Sequence, residues 1–211
     1  MFSIKPNAIA TSSEISLISA GIFGSIGTLD CVDLDEFEYA IKSNFLGTVY
    51  TCHYFAPLMK KRGARIVNYS GGGATSPFPN YSAYATSKAA VVRLTENLAE
   101  EYKPLDIAVN AVAPGFVVTR LHKETFRDGK KAGKQYLDFI KKQVAQGGVP
   151  PELAAKLTSF LLSHHSAGIN GKLVSANWDE WQKPEFVERL RSEKNLATLR
   201  RIDGINFLAK Q

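Results

Sequence analysis

Four short apolar runs, spaced so that a helix fits between each pair, constrain this chain more than any other feature. They are Ile15–Ala20, Ile66–Tyr69, Asp106–Val112 and Lys172–Ala176. Each ends near a glycine, a proline or a hydroxyl residue, as a strand leaving a sheet does. Between the first two, Asp33 and Glu36 form a capping box, and Leu34, Phe37, Ile41, Phe45, Val49 and Cys52 follow near helical spacing. One helix is predicted from there to about Arg62, with Pro57 kinking or ending its last turns. Ser82–Tyr102 predicts a second helix, its apolar stripe formed by Val91, Leu94, Leu98 and Tyr102. A third is predicted near Lys134–Val144. Pro150 and Pro151 open a fourth, through Leu162, since proline suits a first helical turn. Strand–helix alternation of this kind predicts an α/β fold, a parallel sheet with helices on both faces. Ligands of such sheets bind at the carboxyl ends of the strands. Gly21, Ser70 and Pro114 all fall at those ends.

Chemistry concentrates between Asn68 and Lys88. The second strand runs into Ser70 and three glycines, then a Gly/Pro/Ser loop, then the Ser82 helix. Tyr84 and Lys88 stand four apart on that helix, so phenol and ammonium share a face. An ammonium beside a phenol favours the phenolate and lowers a pKa that is ordinarily about 10. A general acid/base acting on an alcohol or ketone oxygen needs such a group. Ser70 is placed to hydrogen-bond the same oxygen. Of the eight tyrosines only Tyr84 has lysine at this spacing. Alone, the pair reads equally well as a surface lysine beside a half-buried tyrosine; its setting favours the site. Asn44 lies mid-helix among apolar neighbours, either a satisfied polar residue or part of a site.

Composition narrows the class. With 45% hydrophobic and 22% charged residues, the 211-residue chain can bury one sizeable core. The net charge of +6 is scattered, with small clusters at Lys60–Arg62 and Lys130–Lys131, which reads as a solvated surface rather than a nucleic-acid footprint. Cys31 and Cys52 make no metal spacing and no disulfide framework, and suit a reducing cytoplasm. The four histidines show no ligand pattern. No apolar run is long enough to span a membrane, and residues 1–20 do not read as a signal peptide. Segment 1–14 reads as irregular, 15–176 as the domain, and 177–211 as a C-terminal tail. Residues 116–149, charged and punctuated by glycine, read as a pocket cover or a plain surface excursion.

These marks resemble the short-chain dehydrogenase/reductase family. The resemblance runs from about Ile15 to the C-terminal region. It rests on Ser19-Ala20-Gly21, Asn44, Ser70, Tyr84-Ala85-Thr86-Ser87-Lys88 and Pro114-Gly115-Phe116-Val117-Val118-Thr119. It implies a Rossmann-type three-layer sheet and an NAD or NADP cofactor, with a small alcohol or ketone as substrate. It implies Tyr84 as acid/base, Lys88 as the group that lowers its pKa and holds the nicotinamide ribose, Ser70 orienting the substrate oxygen, and Asn44 holding a water that links Lys88 to solvent. Gly21, Pro114, Gly115, Val117 and Thr119, together with Tyr84 and Lys88, would line the cofactor. It also implies a homo-oligomer formed through helices 33–62 and 82–102.

Three departures accompany the resemblance. The family's N-terminal half, with its Gly-rich pyrophosphate turn and its NAD/NADP-selecting residue, has no counterpart; Gly21-Ile22-Phe23-Gly24-Ser25-Ile26-Gly27 has the wrong spacing and reads as a loop. The fold is thus expected to be truncated at its N-terminal half, with Ile15–Ala20 as an edge strand. Ser19 stands where the family usually has asparagine. Ser70 lies fourteen residues before Tyr84, whereas many members place the serine thirteen before; that position here is Gly71. The readings that follow are an oxidoreductase interconverting an alcohol and a ketone or, as an alternative, a catalytically impaired fragment acting only as a subunit or interaction partner. A sugar-nucleotide epimerase or dehydratase ranks below these, because only a short tail follows Lys172. A nucleic-acid binder ranks last.

Overall fold

The structure, a computed structural model, describes residues 15–19, 21–59 and 63–201. Segment 1–14, Ala20, the basic cluster 60–62 and the end of the tail from 202 lie outside the described residues. Among these residues four strands form one parallel sheet in the order β1-β2-β3-β4: β1 Ile15–Ile18, β2 Ala64–Tyr69, β3 Ile107–Ala113 and β4 Leu173–Ser175. Each parallel pair requires a crossover, and helices supply it. The fold is α/β, Rossmann-type, in three layers.

Side-chain alternation sorts the strands between two cores. Ile66, Ile107 and Val109 face one side, with Cys52, Leu98 and Ala99 from α2 (Gly47–Phe55) and α3 (Ser82–Glu101). Val67, Val112 and Val174 face the other, against Leu157 and Leu161 of α6 (Pro151–Leu162) and Val187 and Leu190 of α7 (Pro184–Ser192). Trp181 is buried in this second core, and its Nε1–H donates to the Ala176 carbonyl. On β1, Ile15 and Leu17 are each 52% exposed, because the sheet face they share with Val67 is uncovered there.

The helix expected from 33 to about 62 is not one regular helix. Asp33 caps α1 (Leu34–Ile41) by accepting from the Glu36 amide, as the capping box predicts. A π-helical turn, Lys42–Leu46, then joins α1 to α2, and a 3-10 turn, Ala56–Leu58, closes the segment. The end comes earlier than expected because Pro57 brings no amide proton to the last turn. The widened turn has a local use: it sets Asn44 facing inward, fully buried.

Between β3 and α6 the 116–149 excursion forms α4 (Leu121–Asp128), a 3-10 turn and α5 (Lys134–Ala145). It is not a plain surface excursion. Ala132 is buried in a third core with Phe23, Ile26, Tyr81 and Tyr84, and Leu121, Tyr136 and Leu137 pack against it.

Candidate functional site

The residues that follow β1 and end β2 meet the first turns of α3. Tyr84 and Lys88 both point inward there, at 9% and 3% exposure. Lys88 Nζ donates to the Tyr69 carbonyl at 3.1 Å, at the end of β2. It lies 5.8 Å from the centre of the Tyr84 ring. Gly21 closes the other side: a Cβ there would stand 3.7 Å from Lys88 Nζ. That distance is an ordinary contact, so Gly21 packs directly against the buried ammonium.

Asn44 ties the loop after β1 to α3. Its Nδ2 donates to the Ile22 carbonyl and its Oδ1 accepts from the Ile22 amide, both at 2.9 Å. The second Nδ2 proton goes to Ser87 Oγ at 2.9 Å, and Ser87 Oγ donates to the Tyr84 carbonyl at 2.7 Å. Its own carbonyl accepts the Thr48 hydroxyl at 2.8 Å. Asn44 is therefore both the satisfied polar residue and the residue that registers Ile22 against Tyr84. Ser87 sits inside the Tyr84–Lys88 motif, yet sequence reasoning gave it no role.

The pKa shift read from sequence is reversed. Burial pushes the Tyr84 phenol up to about 12 rather than down. The ring is enclosed by protein, and the phenolate loses its water. The ammonium is weakened by the same cause, since burial pulls Lys88 down to about 8.

Ser70 stands directly after β2, at the strand end where the sequence puts it. Its amide continues the ladder by donating to the Val112 carbonyl at 2.9 Å. Alternation puts its side chain on the α3 face, next after Asn68, whose Nδ2 donates to Thr95. The Ser70 Oγ is buried with no hydrogen-bond partner, and among the described residues no hydrogen bond joins it to Tyr84. The Tyr84 hydroxyl lies instead against the bare Cα of Gly71.

Pro114–Thr119 leaves the end of β3 with Pro114 and Val117 half-buried and Gly115 and Thr119 exposed. Gly115 has φ +80°, and a Cβ there would come within 3.1 Å of Val149 Cγ2. His122 holds this segment: its Nε2–H donates to the Val117 carbonyl at 3.0 Å, and its ring stacks on Phe116 at 4.2 Å. Burial lowers its pKa, so the ring is neutral, with Nδ1 buried and unpartnered. Phe23 bridges the parts, its ring centre 4.9 Å from Tyr84 and 6.3 Å from His122. Phe23, Tyr81, Tyr136 and His122 thus shape the surroundings of the phenol, and none of them was singled out from sequence. For His122 and Tyr136 the available signal was the density of aromatic residues in 116–139; Phe23 and Tyr81 lie outside it.

A family model described as Enoyl-(Acyl carrier protein) reductase matches residues 10–177. The chain belongs to the short-chain dehydrogenase/reductase family. This family member is 35% identical, over 162 residues, to the Dehydrogenase/reductase SDR family member 4 of Sus scrofa; the match covers 76% of the chain and 57% of the relative. It is 32% identical to an uncharacterized oxidoreductase of Schizosaccharomyces pombe over 79% of the chain and 66% of the relative. The solved structure of levodione reductase superposes with a TM-score of 0.67 at 27% identity, covering 80% of the chain and 66% of that structure. The short-chain dehydrogenase/reductase chain described here thus spans between about half and two thirds of the length of these relatives. Among its described residues no helix is long and apolar enough to cross a membrane, and no cluster of three metal-ligating side chains occurs.

Proposed function

We propose that this chain carries the catalytic, nicotinamide-side portion of an NAD(P)-dependent oxidoreductase that interconverts an alcohol and a ketone. One observation carries the reading: Tyr84 and Lys88 lie inward on one helical face, where Lys88 is held by the Tyr69 carbonyl and fronted by Gly21. That arrangement fits the ribose and nicotinamide side of a dinucleotide. Gly21 packs against the Lys88 ammonium, and Pro114, Gly115, Val117 and Thr119 follow the carboxyl end of β3. The bound cofactor supplies the hydride.

The chain's own residues handle the proton. In reduction Tyr84 Oη gives its proton to the substrate oxygen, and in oxidation it takes one back. Burial pushes the phenol up to about 12, so it holds its proton tightly; in this reading a neighbouring positive charge is needed to make release accessible. With its own pKa near 8, Lys88 is mostly protonated at neutral pH and supplies that charge. The Tyr69 carbonyl fixes where the charge sits. Ser70 Oγ has an unused donor and acceptor on the same sheet face, which supports a role in orienting the substrate oxygen. Asn44 indexes the loop bearing Gly21 to Tyr84 through Ser87, and its role as holder of a water next to Lys88 rests on the family. Family membership also supports assembly as a homo-oligomer through the α1–α2 segment and α3. Tyr39, Tyr50 and Tyr54, all more than half exposed, offer apolar surface for it. Two free cysteines suit a cytoplasmic setting.

Calorimetric titration of the purified chain with NADH and NADPH, alongside a Tyr84→Phe/Lys88→Ala variant, tests the reading. Micromolar binding that the variant loses is expected. Equal binding by both proteins, or none at millimolar cofactor, overturns it for this chain.

A further inference from the structure

The loop after β2 contains three consecutive glycines, and their reasons differ. Gly73 has φ +80°, so its backbone itself calls for glycine. Gly71 does not lie in the left-handed region, so no positive φ calls for glycine there. What Gly71 lacks room for is a side chain. A Cβ there would overlap the Tyr84 hydroxyl outright, with ring carbons Cζ and Cε1 only 2.9 and 3.2 Å away. At Gly72 the same atom would make ordinary contacts with Phe78, at 3.5 and 3.8 Å.

The ring is packed on its other side as well. Phe23 meets it edge-on at 4.9 Å, and Tyr81 and Ala132 complete the same buried cluster. Tyr84 also sits near the start of a twenty-residue helix, where its first torsion has two usable settings. From these contacts we propose that Gly71 is the positioning residue for Tyr84: its bare Cα is the seat of the phenol, and a side chain there unseats the ring. The position thirteen residues before the tyrosine, where many family members carry the serine hydroxyl, is thereby closed to a hydroxyl in this chain. Serine at 71 and Tyr84 in this seat claim the same volume, so Gly71→Ser disrupts the site instead of completing it. The functional meaning of the seat rests on the reading of Tyr84 as the acid/base; the seat itself does not.

Tyrosine labelled with carbon-13 at Cζ tests the proposal without any cofactor. The Tyr84 resonance is assigned by its loss in Tyr84→Phe and followed through a pH titration. In the unaltered chain its midpoint is expected near 12, from burial. In Gly71→Ala and Gly71→Ser the resonance shifts, and its midpoint falls by about two pH units toward the ordinary value of about 10. Gly72→Ala leaves both unmoved. A folded Gly71→Ala chain with an unshifted Tyr84 resonance and midpoint overturns the proposal, as does an equal shift in Gly72→Ala. Should Gly71→Ala not fold, Tyr84→Leu removes the atoms the new Cβ would strike. The double variant is then expected to be as stable as Tyr84→Leu alone, and failure of that rescue overturns the proposal. Loss of cofactor binding or turnover in all variants bears on the preceding reading and leaves the titration to decide this one.

Discussion

Asn44 Nδ2 donates to the Ser87 hydroxyl at 2.9 Å, joining two residues 43 positions apart. Ser87 passes the contact to the Tyr84 carbonyl, while the rest of the Asn44 amide grips Ile22. One buried side chain thus sets the loop after β1 against the helix that carries Tyr84 and Lys88.

Replacing Asn44 with alanine leaves the Ile22 amide and carbonyl and the Ser87 hydroxyl short of partners inside the protein. Unmet buried groups cost about 1–3 kcal/mol each before any relaxation. The Asn44→Ala chain is expected to lose roughly 3 kcal/mol of stability in urea denaturation, and Ser87→Ala roughly 1 kcal/mol. Equal stability in all three proteins would contradict the linkage.

Tyr84→Phe separates catalysis from folding. Among the described residues no hydrogen bond reaches the Tyr84 hydroxyl, so its removal strands no partner. Thermal denaturation is expected to show a midpoint unchanged or slightly raised. Turnover of an alcohol/ketone pair in the cofactor-competent protein is expected to fall at least about 100-fold, the usual scale for loss of a general acid/base. A large stability loss with little change in turnover would reverse both assignments.

Lys88 makes stability depend on pH. Its native pKa, near 8, lies below the unfolded value of 10.5, so between these limits the unfolded chain binds more protons. Stability contributed by this group therefore rises with pH from about 8 to 10.5, and below 8 the native state bears the full cost of charging it. The difference across the window is on the order of 3 kcal/mol. Tyr84 acts oppositely at higher pH: its native pKa exceeds the unfolded value of 10.0, so its contribution falls from about pH 10 to 12. Urea denaturation at pH 7, 9 and 10 should show the rise in the unaltered chain and a flatter profile in Lys88→Met. Parallel profiles would mean that Lys88 is not buried.

A second buried lysine holds the C-terminal segment. Lys172 Nζ donates to the carbonyls of Glu193, Lys194 and Leu196 at 2.7, 3.1 and 2.9 Å. Lys172→Met leaves those carbonyls without the ammonium. Limited proteolysis is expected to open sites between residues 193 and 201 while α3 stays protected. Unchanged cleavage in the variant would show that other contacts hold the segment.

The β-branched runs, the capping box at Asp33 and the prolines at 150 and 151 are local signals, and each marks its element because local propensity and the fold agree there. The pairing of Tyr84 with Lys88 was also readable, since four residues on a helix span one turn. The π-turn at 42–46 was not. Its sequence is compatible with an ordinary helix, and what favours the wider turn is burial of Asn44 against Ile22 and Ser87, which are distant in the chain.

The alternation of strands and helices, the family, and the side chains that reach the ends of the strands are all readable along the chain. Those follow from period, spacing and motif, which act over a few residues. The direction of the Tyr84 pKa, the unpartnered state of Ser70 and the reason for Gly71 emerge from packing alone. Each depends on how much water and which atoms surround a group once α3, the loop after β1 and the 116–149 segment close on one another. Desolvation and overlap are properties of packed volume, and spacing along a chain does not encode them.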